Sequence, residues 1–401
     1  MIFELNANTK PGQRLVALAE RLAEEIRPNV AQHDRDGSFP FESLARVKQS
    51  GYLTAPVPEQ LGGLGVTSVH DLVVASSRLA RGDAALAIGV NMHFAYLVNV
   101  LRRWQIATAQ GNERRAVAFG RTLAEIASED LVFAAAISEP SQDLTRPATV
   151  AARTDDGWVV SGRKVFCTMA PGADVLYASV TYLDERGREL YGYAVVPTTA
   201  AGVVVHDDWD ALGMRSSGSH SVSFEDVRLP SDALRGGFPV GDVDEFVERN
   251  LDGGLFHAAA SLGIAEHAHA HVAERIAGIG RQPHGRTRGL AAENAVELAA
   301  CRAILSRAAT LIEDHFAPDW TTNPTFLFAE AQAAKTFIGE AAVRIVDRAL
   351  ALSGGAGYLN GSPLARAYRD VRATAFMHPL GANRAYDYLG QLVLGGEPAL
   401  H

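Results

Sequence analysis

The sequence predicts an α+β protein in three parts: an N-terminal α-helical domain over 1–130, a central antiparallel β-domain over 131–238 and a C-terminal four-helix bundle over 239–401. Three observations predict it. A chain of 401 residues with 47% hydrophobic composition exceeds what one core holds, since single cores stop growing at roughly 250–300 residues. Apolar residues recur at helical spacing towards both ends of the chain. Between them lie short β-branched and aromatic runs separated by Gly, Asp and Pro turns.

Leu15, Leu18, Leu22 and Ile26 trace a first helix that Pro28 is expected to stop, and Phe41 to Gly51 reads as a second. After the Gly62-Gly63-Leu64-Gly65 turn, apolar helices are expected over Asp71–Ala80 and Ala84–Leu101. The strand-like runs are Phe133–Ile137, Thr149–Arg153, Trp158–Phe166, Val175–Thr181, Leu190–Val196, Val203–Val205 and Ser221–Val227. From Asp242 the helical period returns in Ala-rich stretches, Leu255–Ala277, Ala291–Phe316, Phe326–Leu352 and Pro363–Val393, interrupted by Pro and Gly, and these lengths suit a four-helix bundle. No internal repeat is visible.

Charge and cysteine usage exclude several classes of function. The net charge of −9 comes from acidic and basic residues interleaved throughout, so no basic face offers itself to nucleic acid or to an anionic membrane. Met1 to Lys10 lacks the basic-then-apolar pattern of a signal peptide, and no segment approaches the roughly 18 apolar residues of a membrane span. The expectation is a cytoplasmic protein with no membrane and no nucleic-acid partner. Cys167 and Cys301 lie far apart without CxxC spacing, which fits a reducing compartment and gives no disulfide or metal signal.

Two local patterns leave alternatives open. Gly354-Gly355-Ala356-Gly357 at a helix end could let backbone approach a phosphate or could simply cap the helix. His267 and His271 share a helix face at i, i+4, with His269 between them and Glu274 nearby; a metal site and a solvated polar face both fit, and the second is the plainer.

The α, β, α order and a chain of motifs resemble the acyl-CoA dehydrogenase superfamily over essentially the whole length. The motifs are Pro58-Glu59-Gln60-Leu61-Gly62-Gly63, Leu79-Ala80-Arg81-Gly82-Asp83, Ile137-Ser138-Glu139-Pro140, Gly162-Arg163-Lys164-Val165-Phe166-Cys167-Thr168, Leu212-Gly213-Met214-Arg215, Arg281 to Gly285, Ser353 to Tyr358 and Tyr368-Arg369-Asp370. The resemblance implies a flavin, FAD or FMN, held between the β-domain and the helical domains of a homotetramer. It places Ser138, Phe166 and Thr168 beside the isoalloxazine ring, Arg281 on the diphosphate of a neighbouring subunit's flavin, and the Gly354-Gly355 turn against it. An aromatic face and hydroxyl donors suit a flat ring with one polar edge.

The sequence departs from the dehydrogenases where they carry their base. A carboxylate must take the α-proton of the thioester as the β-hydride leaves. The usual glutamate position, counted from Arg369-Asp370, holds His378 before Pro379, and the alternative position, aligned through Leu262-Gly263, holds Gly253. Asp252 is one residue out of register, a rotation of roughly 100° that aims it elsewhere.

These departures resemble the two-component monooxygenase branch, which takes reduced flavin from a separate reductase and activates dioxygen. In that branch a histidine replaces the glutamate, as His378 does, and a second histidine ends the early helical domain, which His93 matches. An imidazole titrating near neutral pH could exchange the protons such chemistry needs. The reading is a flavin-dependent oxidoreductase, a monooxygenase acting on a small organic substrate at carbon, nitrogen or sulfur, with His378 and His93 catalytic and no metal. A divergent FAD-dependent acyl-CoA dehydrogenase is the alternative, and a non-catalytic assembly protein a third. Met92, His257 and Phe376 are expected to shape the pocket.

Overall fold

A computed structural model describes residues 4–140, 143–280, 282–315, 322–398 and 400. The N-terminal part holds α1 (Lys10–Asp36), α2 (Phe41–Gln49), α3 (Val69–Ala80), α4 (Ala84–Ala109) and α5 (Glu113–Ser128). Thr9 caps α1 by accepting the Gly12 N–H, and Gly37 ends it in the left-handed region. Pro28 does not stop this helix, contrary to expectation. Its buried stripe continues through Ile26, Val30 and Asp34, and packing against α3 outweighs the one hydrogen bond a proline forfeits. The sequence reading also missed α5. By length and composition α4 could span a bilayer, a correction to the expectation that no segment comes close, but 83% of its most apolar window is buried inside the protein, as in a core helix.

The central sheet contains β1 (Phe133–Ala136), β2 (Val150–Thr154), β3 (Gly157–Cys167), β4 (Val175–Leu183), β5 (Glu189–Pro197), β6 (Val203–Val205), β7 (His220–Pro230) and β8 (Leu234–Pro239). The strand order is β6-β7-β3-β2-β4-β5-β8, with β1 joined to β4. The sheet is not wholly antiparallel as expected, because both β1 and β2 pair with β4 in parallel. Its apolar face, including Ala134, Val160, Leu176, Val196 and Phe224, forms a core of its own.

The C-terminal part comprises α6 (Val243–Arg249), three long helices, α7 (Gly253–Ala277), α8 (Gly285–His315) and α9 (Pro324–Ser353), and a broken fourth stretch. That stretch resolves into α10 (Pro363–Asp370), a 3₁₀ turn over Val371–Phe376, an extended link carrying His378 and Pro379, and α11 (Ala382–Val393). Pro379 supplies no N–H and biases His378 towards extended backbone, and the helix is interrupted there.

One carboxylate ties the helical parts together. Glu266, buried on α7, accepts from Arg81 Nη2 at 2.8 Å and Arg78 Nη1 at 3.4 Å on α3, and from Arg302 Nε at 2.7 Å on α8. The α3–α7 crossing is close, since a Cβ on Gly263 would lie 2.3 Å from the Ser77 carbonyl oxygen. Removing the acid leaves like charges facing one another in the interior. Glu266→Ala is therefore expected to lose about 3–5 kcal/mol of stability, read as a fall in the urea midpoint at unchanged slope.

Candidate functional site

The break in the last helix is held from across the bundle. Met377, His378 and Leu380 turn their carbonyls inward, and Lys335 of α9 meets all three, with Nζ donating to Met377 O, to His378 O at 3.3 Å and to Leu380 O at 2.7 Å. Burial pushes this ammonium down to about 7. The sequence reading missed Lys335, although a signal was there: it interrupts the buried stripe Ala331, Ala334, Ile338 and Ala342.

His378 is half-buried and lines a cavity of about 130 Å³ together with Ser138, Glu139, Tyr191 and Phe376. Its Nε2 lies 3.3 Å from Asn250 Oδ1, and the Phe246 ring stands edge-on at 6.3 Å. Desolvation, then the Lys335 charge, pushes His378 down to about 3, so its imidazole is neutral at physiological pH. The expectation of a group titrating near neutrality is thereby corrected. His257 is buried beside Lys335 and His378 and held well below its usual range, desolvation being the larger cause.

The carboxylates nearby are engaged elsewhere. Glu139 binds Lys164 and accepts from Thr149 N at 2.9 Å, while Asp143 Oδ1 accepts from Thr145 N at 2.9 Å. Asp252 turns to Arg102, at 3.4 Å. Gly253, the alternative base position, faces Pro379 Cδ at 3.8 Å from a built Cβ. Both base positions of the resemblance thus converge, and neither bears a carboxylate.

The residues expected around a flavin ring lie at or beside the end of β3. The Ser138 carbonyl accepts the Val165 N–H at 2.9 Å, which brings the 137–139 segment to the end of β3. Phe166 follows, 61% exposed and edge-on to Trp209 at 5.2 Å. Thr168 Oγ1 ends a hydroxyl chain from Ser217 through Ser219, the last link 3.0 Å. Phe376, 85% exposed, separates the small cavity from an apolar groove of about 760 Å³ lined by Leu212, Lys335, Val343, Tyr368 and Phe376. Large rings left uncovered beside hydroxyl groups fit a flat aromatic cofactor with a polar edge.

The other expected residues do not gather at His378. His93 is fully buried; its Nδ1 accepts the Phe133 N–H at 3.1 Å and its Nε2 meets the Leu53 carbonyl at 3.0 Å. Both nitrogens are engaged with backbone, so the ring ties α4 to β1 and to the turn at Leu53, with no free atom for a substrate. Gly354 and Gly355 are exposed at the end of α9 with open space around them, and Gly354 adopts φ 66°. Arg281 lies outside the described residues. His267 and His271 stand 6.2 Å apart ring to ring, and among the described residues no group of three possible metal ligands occurs.

Three family models match in order: the N-terminal domain of acyl-CoA dehydrogenase at 13–107, its middle domain at 134–227 and its C-terminal domain at 252–383. The chain is 33% identical over 396 residues to the amino sugar nitrososynthase DnmZ of Streptomyces peucetius, covering 96% of this chain and 94% of that protein. It is 30% identical over 363 residues to the mitochondrial short-chain specific acyl-CoA dehydrogenase of Sus scrofa, covering 87% and 82%. The X-ray structure of KijD3 in complex with FMN and dTDP-3-amino-2,3,6-trideoxy-4-keto-3-methyl-D-glucose superimposes with a TM-score of 0.89 at 30% identity, covering 98% of this chain and 96% of that one.

The buried histidines dictate how stability varies with pH. Desolvation holds His93 at about 4 in the folded protein, against about 6.5 in an unfolded chain. Between these values the unfolded state binds the proton and the folded state does not, so stability falls as pH drops from about 6.5 towards 4. His93→Gln should shallow that decline by about one proton, roughly 1.4 kcal/mol per pH unit, in urea melts across the window.

Proposed function

The chain belongs to the acyl-CoA dehydrogenase family, and from that premise we propose that it is a flavin-dependent N-oxygenase acting on the amino group of a nucleotide-linked amino sugar. The observation that carries this reading is the neutral His378 where the family's dehydrogenases place a carboxylate, with Glu139, Asp143 and Asp252 all turned to other partners. Without that base, α-proton abstraction from a thioester has no acceptor. A neutral imidazole instead suits an amine, whose nitrogen must keep its lone pair to take up oxygen.

Reduced flavin, FMN by the likeness to KijD3 and delivered by a separate reductase, supplies two electrons for each dioxygen consumed. In the first turnover R–NH₂, O₂, two electrons and two protons give R–NHOH and water; in the second R–NHOH, O₂, two electrons and two protons give R–N=O and two waters. Ser138, Phe166 and Thr168 would hold the ring, Phe166 through its face and the hydroxyls at the polar edge. His378 would take the proton that leaves the amine nitrogen as the N–O bond forms. Phe376 and Tyr191 supply the aromatic part of the cavity wall. Arg281 and the Gly354-Gly355 turn would serve the cofactor of a neighbouring subunit in a homotetramer.

Purified protein given a reductase, FMN and a dTDP-linked amino sugar should yield a product heavier by one oxygen atom, followed by the nitroso compound, by mass spectrometry. His378→Ala should lower that turnover about 10²–10⁴-fold. Acyl-CoA thioesters should leave the bound flavin oxidised under anaerobic conditions; bleaching by any of them would restore the dehydrogenase reading.

A further inference from the structure

Lys335 fixes the backbone at His378, but it does not fix which ring nitrogen carries the proton. We propose that Asn250 is a positioning residue that holds His378 as the Nε2–H tautomer and leaves Nδ1 as its one basic atom. This rests on the reading of His378 as the proton-transfer group.

Asn250 follows α6, and its backbone is fixed on both sides: its N–H donates to Val247 O at 3.0 Å, and its carbonyl accepts the Gly253 N–H at 3.3 Å. Its side-chain Nδ2 donates to Phe246 O at 2.7 Å. Flipping the amide would set two acceptor oxygens 2.7 Å apart, so the network orients it with Oδ1 towards His378. An amide oxygen only accepts, and the ring nitrogen 3.3 Å away must therefore be the donor. Among the described residues this is the one hydrogen bond of the His378 side chain.

The surroundings favour the uncharged ring in which this tautomer matters. Lys335 of α9 and His257 of α7 are the titratable groups against it, and neither offers negative charge. The remaining charges near the cavity are compensated: Glu139 by Lys164, Asp252 by Arg102, while Asp143 caps its own turn. Arg384, also on the cavity wall, donates to Leu400 O at 3.0 Å. Phe246 blocks one ring edge and at the same time supplies the carbonyl that orients Asn250.

The test begins on the flavin-free protein with ¹⁵N-labelled imidazoles, the His378 signals being those lost in His378→Gln. Wild type should show protonated Nε2 and unprotonated Nδ1 at pH 7, and Asn250→Ala should give a mixture. In the reductase-coupled assay Asn250→Ala should lower kcat roughly tenfold with KM little changed, the worth of one hydrogen bond. Asn250→Asp, whose second oxygen must turn from Phe246 O, should move the acid limb of the pH–rate profile upward, because a carboxylate facing the ring stabilises the imidazolium that has lost its Nδ1 lone pair. An Nδ1–H tautomer in wild type, or an unchanged one in Asn250→Ala, overturns the proposal. Should the tautomer follow Asn250 while His378→Ala retains full turnover, the placement of Asn250 stands and the catalytic reading of His378 falls.

Discussion

Glu266 is the contact on which the arrangement of the helices depends. A single buried carboxylate receives guanidinium groups from α3 and α8 while sitting on α7, so three helices from opposite ends of the sequence are locked at one point. Such a group is tolerated in the interior only when every lone pair is met, which makes its geometry exacting. The other end of α7 then has no freedom. Its first turn carries Gly253 and Gly254, and Gly254 lets Lys335 approach, since a Cβ there would lie 3.2 Å from Lys335 Cδ.

The second constraint is the interruption of the last helix. Breaking a helix frees carbonyls that must be satisfied, and here one ammonium gathers three of them. A cation that answers backbone dipoles needs no acid partner, so Lys335 holds the segment without bringing negative charge near His378. That absence separates this pocket from a dehydrogenase site. The family frame is kept by contacts elsewhere: Met214 N bonds Asp370 Oδ1 at 2.6 Å, Arg369 clamps Asp34, and a Cβ on Gly213 would press on the Arg369 carbonyl at 2.3 Å.

Much of this was legible in the chain before any coordinates. The order of motifs carried the fold because each marks a contact that backbone geometry imposes, such as Glu139 with Lys164 or Gly213 with Asp370, and the run Val203–Val205 is a strand as read. Local patterns misled where tertiary packing prevailed. Pro28 has the chemistry of a stop, but it sits on the exposed side of a helix whose buried stripe, Ile26, Val30 and Asp34, runs past it. His93 matched a catalytic histidine by position, yet whether an imidazole serves a substrate or the backbone depends on Leu53 and Phe133, each 40 residues away. Asn250 carried no signal at all, since its bearing on His378 arises across 128 residues through a turn of one amide.

The exchange of a carboxylate for a neutral imidazole also changes what the pocket can hold. A carboxylate would attract an ammonium and pair with it, fixing the amine in the one protonation state that has no lone pair to give. In this site the ionisable group nearest the ring is Lys335, whose ammonium burial pushes down to about 7, and the ring itself is held uncharged by burial. An ammonium entering the cavity would lose hydration without gaining a counter-ion, whereas a free amine loses far less and finds an acceptor for its N–H. In the proposed reaction, the same desolvation that makes His378 a weak base would select the nucleophilic form of an amine. On the proposed amine substrate, selection and proton transfer would be two consequences of one burial.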